Sequence, residues 1–161
     1  MAGTVVVAAG RRPSPLARTL PAMALSSAAR DLLESAALAH LVTLNADGSP
    51  SVAVVWVGLD GDDIVSAHLN PQQHKLKNIR RDPRVALSVE SDVVNEHGLQ
   101  EHLVVHGRAR LTDGGAADLL QRLAHTYLGP DVRFPPMDDP PPGVVCHITV
   151  DRITGIGPWE A

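Results

Sequence analysis

A chain of 161 residues fits one domain, able to bury roughly two-thirds of the surface its unfolded form exposes. Its net charge of −4, histidine neutral, excludes nucleic-acid binding by bulk electrostatics, and the single cysteine, Cys146, excludes an intrachain disulfide and a cysteine-based zinc site. No run of about 20 apolar residues is present, which excludes a membrane-spanning helix; one cysteine also suits a reducing cytoplasm, the expected compartment.

The apolar fraction is 44%, yet the only aromatic rings are Trp56, Tyr127, Phe134 and Trp159, so the core must be built from Val, Leu, Ile and Ala. Residues 1–25, rich in Ala, Val, Pro and Arg, read as a disordered tail. Arg11-Arg12 resembles the start of a twin-arginine export signal, but Pro13, Pro15, Arg18 and Pro21 interrupt any apolar stretch behind it. Residues 26–161 then form a single domain.

Ser26 or Ser27 can cap a helix through about Leu38, with Leu32, Leu33, Ala36 and Ala37 on one face. His40 to Leu44 reads as a strand, and Asn45-Ala46-Asp47-Gly48 as a turn. Ser51 to Leu59, nearly continuous in Val, reads as one strand buried on both faces; Asp60-Gly61 turns it into a third, Asp63 to Leu69. Asn70-Pro71 predicts a helix start, with Asn as cap and Pro at the first helical position, and Asp82-Pro83 ends that helix. A fourth strand, Arg84 to Glu90, alternates Val85, Leu87 and Val89. Ser91 to Gln100 reads as a polar loop and Glu101 to Leu111 as a fifth strand. Asp113 can cap a helix carrying Ala116, Leu119, Leu120, Leu123 and Tyr127 at helical spacing, stopped by Gly129-Pro130. The proline-rich residues 130–142 cannot sustain a hydrogen-bond ladder, and Val144 to Ile156 is the last strand. About six antiparallel strands with short connecting helices predict a mainly β fold, and covering the edges predicts a small barrel.

Charge is distributed unevenly. Residues 74–84 (HKLKNIRRDPR) hold Lys75, Lys77, Arg80, Arg81 and Arg84 against one acid, Asp82, and both lysines of the chain lie there. Basic groups in the first turns of a helix suit a phosphate, since the helix N-terminus offers free N–H groups and partial positive charge. The same spacing also describes a solvated helix face. Eight histidines are scattered without a His-Glu-x-x-His pattern. His102 and His106 would stand about 13 Å apart along a strand, too far to share a zinc, so no metal site is expected. Cys146, flanked by Val144, Val145 and Ile148, reads as a buried small hydrophobe; His147 beside it would point to the opposite strand face.

The order strand, turn, strand, Asp-Gly, strand, then HKLKNIRRDPRVAL resembles the pyridoxamine-phosphate-oxidase-like, FMN-binding split β-barrel superfamily, most closely its actinobacterial branch of F420-dependent oxidoreductases. Lys75, Asn78, Asp82, Pro83 and Arg84 carry the likeness, with the closing ITGIGPW (Ile153 to Trp159). The resemblance covers residues 27 to 159. It implies a six-stranded split barrel working as a homodimer, with cofactor sites at the interface and a small-molecule substrate, but no nucleic acid and no membrane. It implies that Val54, Val55 and Trp56 pass the flavin ring, largely through backbone groups, and that Ser66 and Ala67 meet the phosphate end. Lys75 matches the phosphate lysine, with His74, Lys77 and Asn78 beside it. His74 stands where FMN enzymes usually have arginine, and His102 where they have a glutamine near the ring. Trp159 is implied to reach across the dimer to the partner's cofactor. The function so implied is an F420-dependent reductase passing a hydride from the reduced deazaflavin to an unsaturated or conjugated substrate. The catalytic residue is unassigned, His102 being the one candidate proton donor. Alternatives are an FMN-dependent oxidoreductase and a non-catalytic protein binding a flavin or haem-type ligand.

Overall fold

The computed structural model describes residues 23–159. The expected tail lies mostly outside these. Its last residues, however, are tied down: the Met23 N–H donates to the Val150 carbonyl at 2.9 Å, and Leu25 is buried.

Seven strands form one antiparallel sheet in the order β2-β1-β5-β6-β7-β4-β3. They are β1 (Ala39–Leu44), β2 (Pro50–Val55), β3 (Gly58–Asp60), β4 (Asp63–His68), β5 (Arg84–Val94), β6 (Gln100–Asp113) and β7 (Val144–Ile156). The architecture is the expected split barrel, mainly β with short helices. The extra strand arises because the Val-rich run expected as one strand is two. β2 pairs with β1 at one end of the sheet, and β3 pairs with β4 at the other. Trp56 and Val57 carry the chain between the two ends. Nor is β2 buried on both faces: Val52 and Val54 are 62% and 57% exposed, as befits an edge strand with one neighbour. A run of valines encodes an apolar strand without saying what covers it.

Local hydrogen bonding explains the other boundary differences. Helix α1 (Ser27–Leu33) is capped by Ser26, whose hydroxyl accepts from the Ala29 N–H. It stops five residues short of expectation because the Ser35 hydroxyl donates to the Leu32 carbonyl and accepts the Ala37 N–H, replacing the next helical turn. Asn70 folds a turn rather than capping: its Oδ1 accepts the Gln72 N–H at 2.8 Å, and α2 (His74–Arg81) begins later, after Gln73. The polar stretch 91–100 is mostly hairpin, since β5 and β6 run on to a short turn at Asn95–Gly98. An exposed hairpin and a polar loop have the same composition. Helix α3 (Ala116–Tyr127) starts from Gly115 in the left-handed region, while Asp113 ends β6.

Burial on both sides of β4 generates two apolar clusters. One fills the barrel with Leu41, Ile64, Leu87, Leu103, Val105 and Ile148, closed by Leu76 and Ile79 of α2 and Leu33 of α1. The second lies beneath α3, where Val65, Ala67 and Val145 meet Leu119, Leu120 and Leu123, with Trp56, Tyr127 and Phe134 packed against them.

Trp159 belongs to the first cluster and is 5% exposed. Its indole N–H donates to the His102 carbonyl at 2.9 Å, and the Ser26 hydroxyl reaches the neighbouring Pro158 carbonyl. The ring expected to reach across a dimer is thus packed within its own chain, where Pro158 and Trp159 fold back between α1 and β6. Removing a buried indole leaves a cavity and an unpaired carbonyl, so Trp159→Ala should lose about 3 kcal/mol of stability in urea unfolding.

Candidate functional site

A cleft of about 240 Å³ opens where β2 ends, between β4, α2 and α3. Val54, Val55 and Trp56 form one side and Leu120 and Phe134 another; Ala67, His68 and Lys75 close the polar end. The walls are apolar, and among the described residues the one lysine or arginine lining them is Lys75. Its ammonium is half-buried, and neither a carboxylate nor any hydrogen-bond acceptor among the described residues engages it. Burial pushes its pKa down, the response of a cation taken partly out of water. An unpaired, half-buried cation in an apolar cleft is costly unless an anion completes it.

Three elements position that end. Helix α2 is locked to the sheet by Asn78, which is buried. Its amide donates to the Thr43 hydroxyl and to Asn45 Oδ1, each at 3.0 Å, and its own oxygen accepts from the Arg81 guanidinium at 2.9 Å. Asn78 is thus occupied with holding α2 and does not line the cleft. Strand β4 contributes Ala67 directly, whereas the Ser66 hydroxyl is buried and shares a 3.0 Å hydrogen bond with His68 Nε2. Gly143 supports the end of β4. Its φ is +60°, and a Cβ there would stand 2.5 Å from the His68 carbonyl oxygen.

The wall opposite is aromatic. The Trp56 ring stacks on Tyr127 at 5.1 Å with 12° between planes, and Phe134 meets it at 5.2 Å, tilted. The Tyr127 hydroxyl accepts the Val57 N–H at 3.0 Å and lies 3.0 Å from the Ala37 carbonyl, to which it can donate. Phe134 is held by Gln121, whose Oε1 accepts the Phe134 N–H and whose amide donates to the Val132 carbonyl.

The structure therefore gathers Val54, Val55, Trp56, Ala67 and Lys75 from the sequence-predicted set, with Ser66 just behind. The others are elsewhere. His74 turns to the β1–β2 turn, its Nε2 2.7 Å from Asn45 Oδ1, and Lys77 is exposed on the far side of α2 from the buried Leu76 and Asn78. His102, on β6, is half-buried with Nδ1 against the Gln100 carbonyl, and neither it nor Trp159 lines this cleft in the same chain. Sequence reasoning missed His68, Leu120 and Phe134. A signal existed for two of them. Ser66 and His68 share a strand face at i and i+2, and in a chain with four aromatic rings a lone Phe within a proline-rich stretch is conspicuous.

Cys146, opposite Ser66 on β7, is fully buried, and burial pushes its thiol up to about 11, leaving it an inert hydrophobe. His68 is the other buried titratable group here. Burial lowers its imidazole to about 4, and the Lys75 ammonium pushes the same way.

The pyridoxamine 5′-phosphate oxidase family profile matches residues 25–157. No curated protein sequence matches the chain. Among solved structures, an F420 reductase aligns with 78% of this chain and 94% of its own, at 25% identity and a TM-score of 0.63. The conserved hypothetical protein Rv2991 from Mycobacterium tuberculosis aligns over 87% and 88% at 21% identity and TM-score 0.63. An FMN-binding protein from Syntrophomonas wolfei aligns over 80% and 83% at 14% identity and TM-score 0.57. The last two likenesses show the fold alone.

The low His68 pKa carries a stability consequence. Below its ordinary value near 6.5 the unfolded chain binds a proton that the folded chain refuses until about 4, so stability falls as pH drops through that window. Between pH 7.5 and 5.0 the loss should be about 2 kcal/mol greater in the natural protein than in His68→Gln, measured by urea unfolding of both at the two pH values.

Proposed function

Since this chain belongs to the pyridoxamine 5′-phosphate oxidase family, we propose that it is an F420-dependent reductase, with the cofactor's phosphate at Lys75 and its ring along β2. The observation that carries this is the unpartnered, half-buried Lys75 ammonium at the polar end of an apolar cleft. The donor set fits such a group. Lys75 meets a phosphate, Val54, Val55 and Trp56 flank a ring, and the outer edge of β2, which no other strand pairs, offers backbone hydrogen bonds to the ring's polar rim.

The preference for F420 over FMN rests on His74. The position that carries an arginine in FMN enzymes holds a histidine bound to Asn45, so no guanidinium fork faces the cleft. The likeness to a structure named as an F420 reductase supports the same choice. When bound, the reduced deazaflavin supplies a hydride to a small unsaturated or conjugated substrate. The chain's own residues bind, orient and exclude water: Lys75 grips the anion, β2 aligns the ring, and Phe134 and Trp56 keep the cleft dry.

Lys75→Ala should weaken F420 binding by about 1.5–3 kcal/mol, the worth of a charge-assisted hydrogen bond, and the natural protein's affinity should fall as salt rises. Parallel fluorescence titrations with F420 and FMN test the assignment. F420 is expected to bind tighter; FMN binding at least tenfold tighter would reverse it.

The same reading includes a homodimer. Val52 and Val54 leave the outer face of β2 apolar and open, a surface suited to a second copy of the chain. Light scattering at micromolar concentration should give twice the chain mass, and Val54→Asp should shift it towards monomer.

A further inference from the structure

Resting on the reading that two copies of the chain pair through the open face of β2, we infer that the pairing face extends across five strands and that His40 and His106, set within it, make the pair dissociate in mild acid.

Strand register assembles the face. Side chains alternate along each strand, and those that do not enter the barrel line up on its outside. One row runs Val54, His40, Ser88, Val104 and Thr154 across β2, β1, β5, β6 and β7. The next runs Val52, Val42, Ala86, His106 and Arg152. Their in-turned neighbours Leu41, Leu87, Leu103 and Val105 are buried, whereas every member of the two rows is exposed or partly exposed in the single chain. With the rows on either side, the face measures about 24 Å by 27 Å, roughly 650 Å², near the ~800 Å² that each partner of a standard dimer covers. Its charged members Arg84, Glu90, Arg108 and Arg152 stand around the rim, and its middle is apolar or small. A flat sheet face with an uncharged middle finds its complement in the same face of a second copy.

The two histidines sit among groups that do not welcome a positive charge. His40 faces Val54 on β2 and Ser88 on β5, neither of which titrates. His106 faces Ala86 on β5 and the Arg152 guanidinium on β7, and its neighbours along the same face of β6 are Val104 and Arg108, the latter bound to Asp151. Glu90 faces His102 instead. Covering the face removes the water that would solvate an imidazolium, so both rings are neutral in the pair and free to protonate once the copies part. The paired form therefore binds these protons less well than the separated chains, whose histidines titrate near the ordinary value of about 6.5. Pairing is at full strength above that value and is lost as pH falls through it. Each histidine that must stay neutral weakens association about tenfold between pH 7.5 and 5.5, so one per chain gives about a hundredfold and both give about 10⁴-fold.

Sedimentation equilibrium of the full-length protein at pH 7.5 and 5.5, with far-UV circular dichroism to verify folding, tests both parts. The dimer dissociation constant should rise about a hundredfold or more on acidification. In the double variant His40→Gln, His106→Gln the dimer should persist and the rise should vanish. His68→Gln, which relieves the acid sensitivity of the fold itself, should leave the rise in place. Val104→Asp and Ser88→Glu, both three or more strands in from the β2 edge or next to β1, should give folded monomers at pH 7.5. A dimer that holds equally well at both pH values, or a pH response that survives in the double glutamine variant, overturns the inference while leaving the homodimer reading intact. A tight dimer of folded Val104→Asp and Ser88→Glu overturns it by confining the contact to β2. A natural protein that is monomeric at pH 7.5 overturns the homodimer reading and the inference with it.

Discussion

The hydroxyl of Tyr127 holds together the shortest crossing in this sheet, the two residues between β2 and β3. β2 and β3 are consecutive in sequence but lie at opposite ends of the strand order, and the two residues between them leave the ladder. Backbone groups taken out of a ladder and partly buried need other partners. Tyr127 supplies them by accepting from Val57 and reaching the Ala37 carbonyl, so one side chain of α3 ties the β2–β3 crossing to the segment after α1. The rest of the cleft is built on that tie. With the crossing fixed, Trp56 lies flat on the Tyr127 ring, Phe134 closes on Trp56, and the end of β2 stays open beside Lys75.

The basic segment shows how little a charge count says about a site until the partners are known. Residues 74–84 look like a cluster made for a polyanion, yet most of their cations serve the fold: guanidinium groups satisfy the carbonyls of Pro71 and Leu44, and Arg84 neutralises Asp82. Hydrogen bonds from that arginine hold the Asp82 carboxyl near 2, below the usual carboxylate range, so the pair is ionised at neutral and mildly acid pH. What reaches the cleft is one ammonium, positioned because Asn78 locks the helix by three hydrogen bonds.

The order of elements was legible because their signals are local: a 3.6-residue period in α3, alternation in β5, glycines at turns, and prolines after helices. Lys75, Val54, Val55, Trp56 and Ala67 were legible from the resemblance and do line one cleft. Three features were not. The break at Trp56-Val57 depends on a tyrosine 70 residues away, and no local propensity marks it. The exposure of Val52 and Val54 depends on which strand is left at the edge, which alternation cannot report. The fate of Trp159 depends on a carbonyl of His102 on another strand. Each is a long-range contact whose partners look ordinary in sequence.

The two ends of the cleft rest on different foundations. Lys75, Ala67 and His68 sit on a helix and a strand bonded into the barrel, so their backbone positions are fixed by the core. Phe134 sits on a proline-rich connection that Gln121 alone pins to α3 by side-chain bonds among the described residues. Sequence drift in residues 130–142 can therefore reshape the wall that a second molecule would meet while the anion grip stays as it is. In a lineage built on this plan the wall at Phe134 can diverge at little cost to folding, whereas the backbone that places Lys75 and Ala67 is held by the barrel itself.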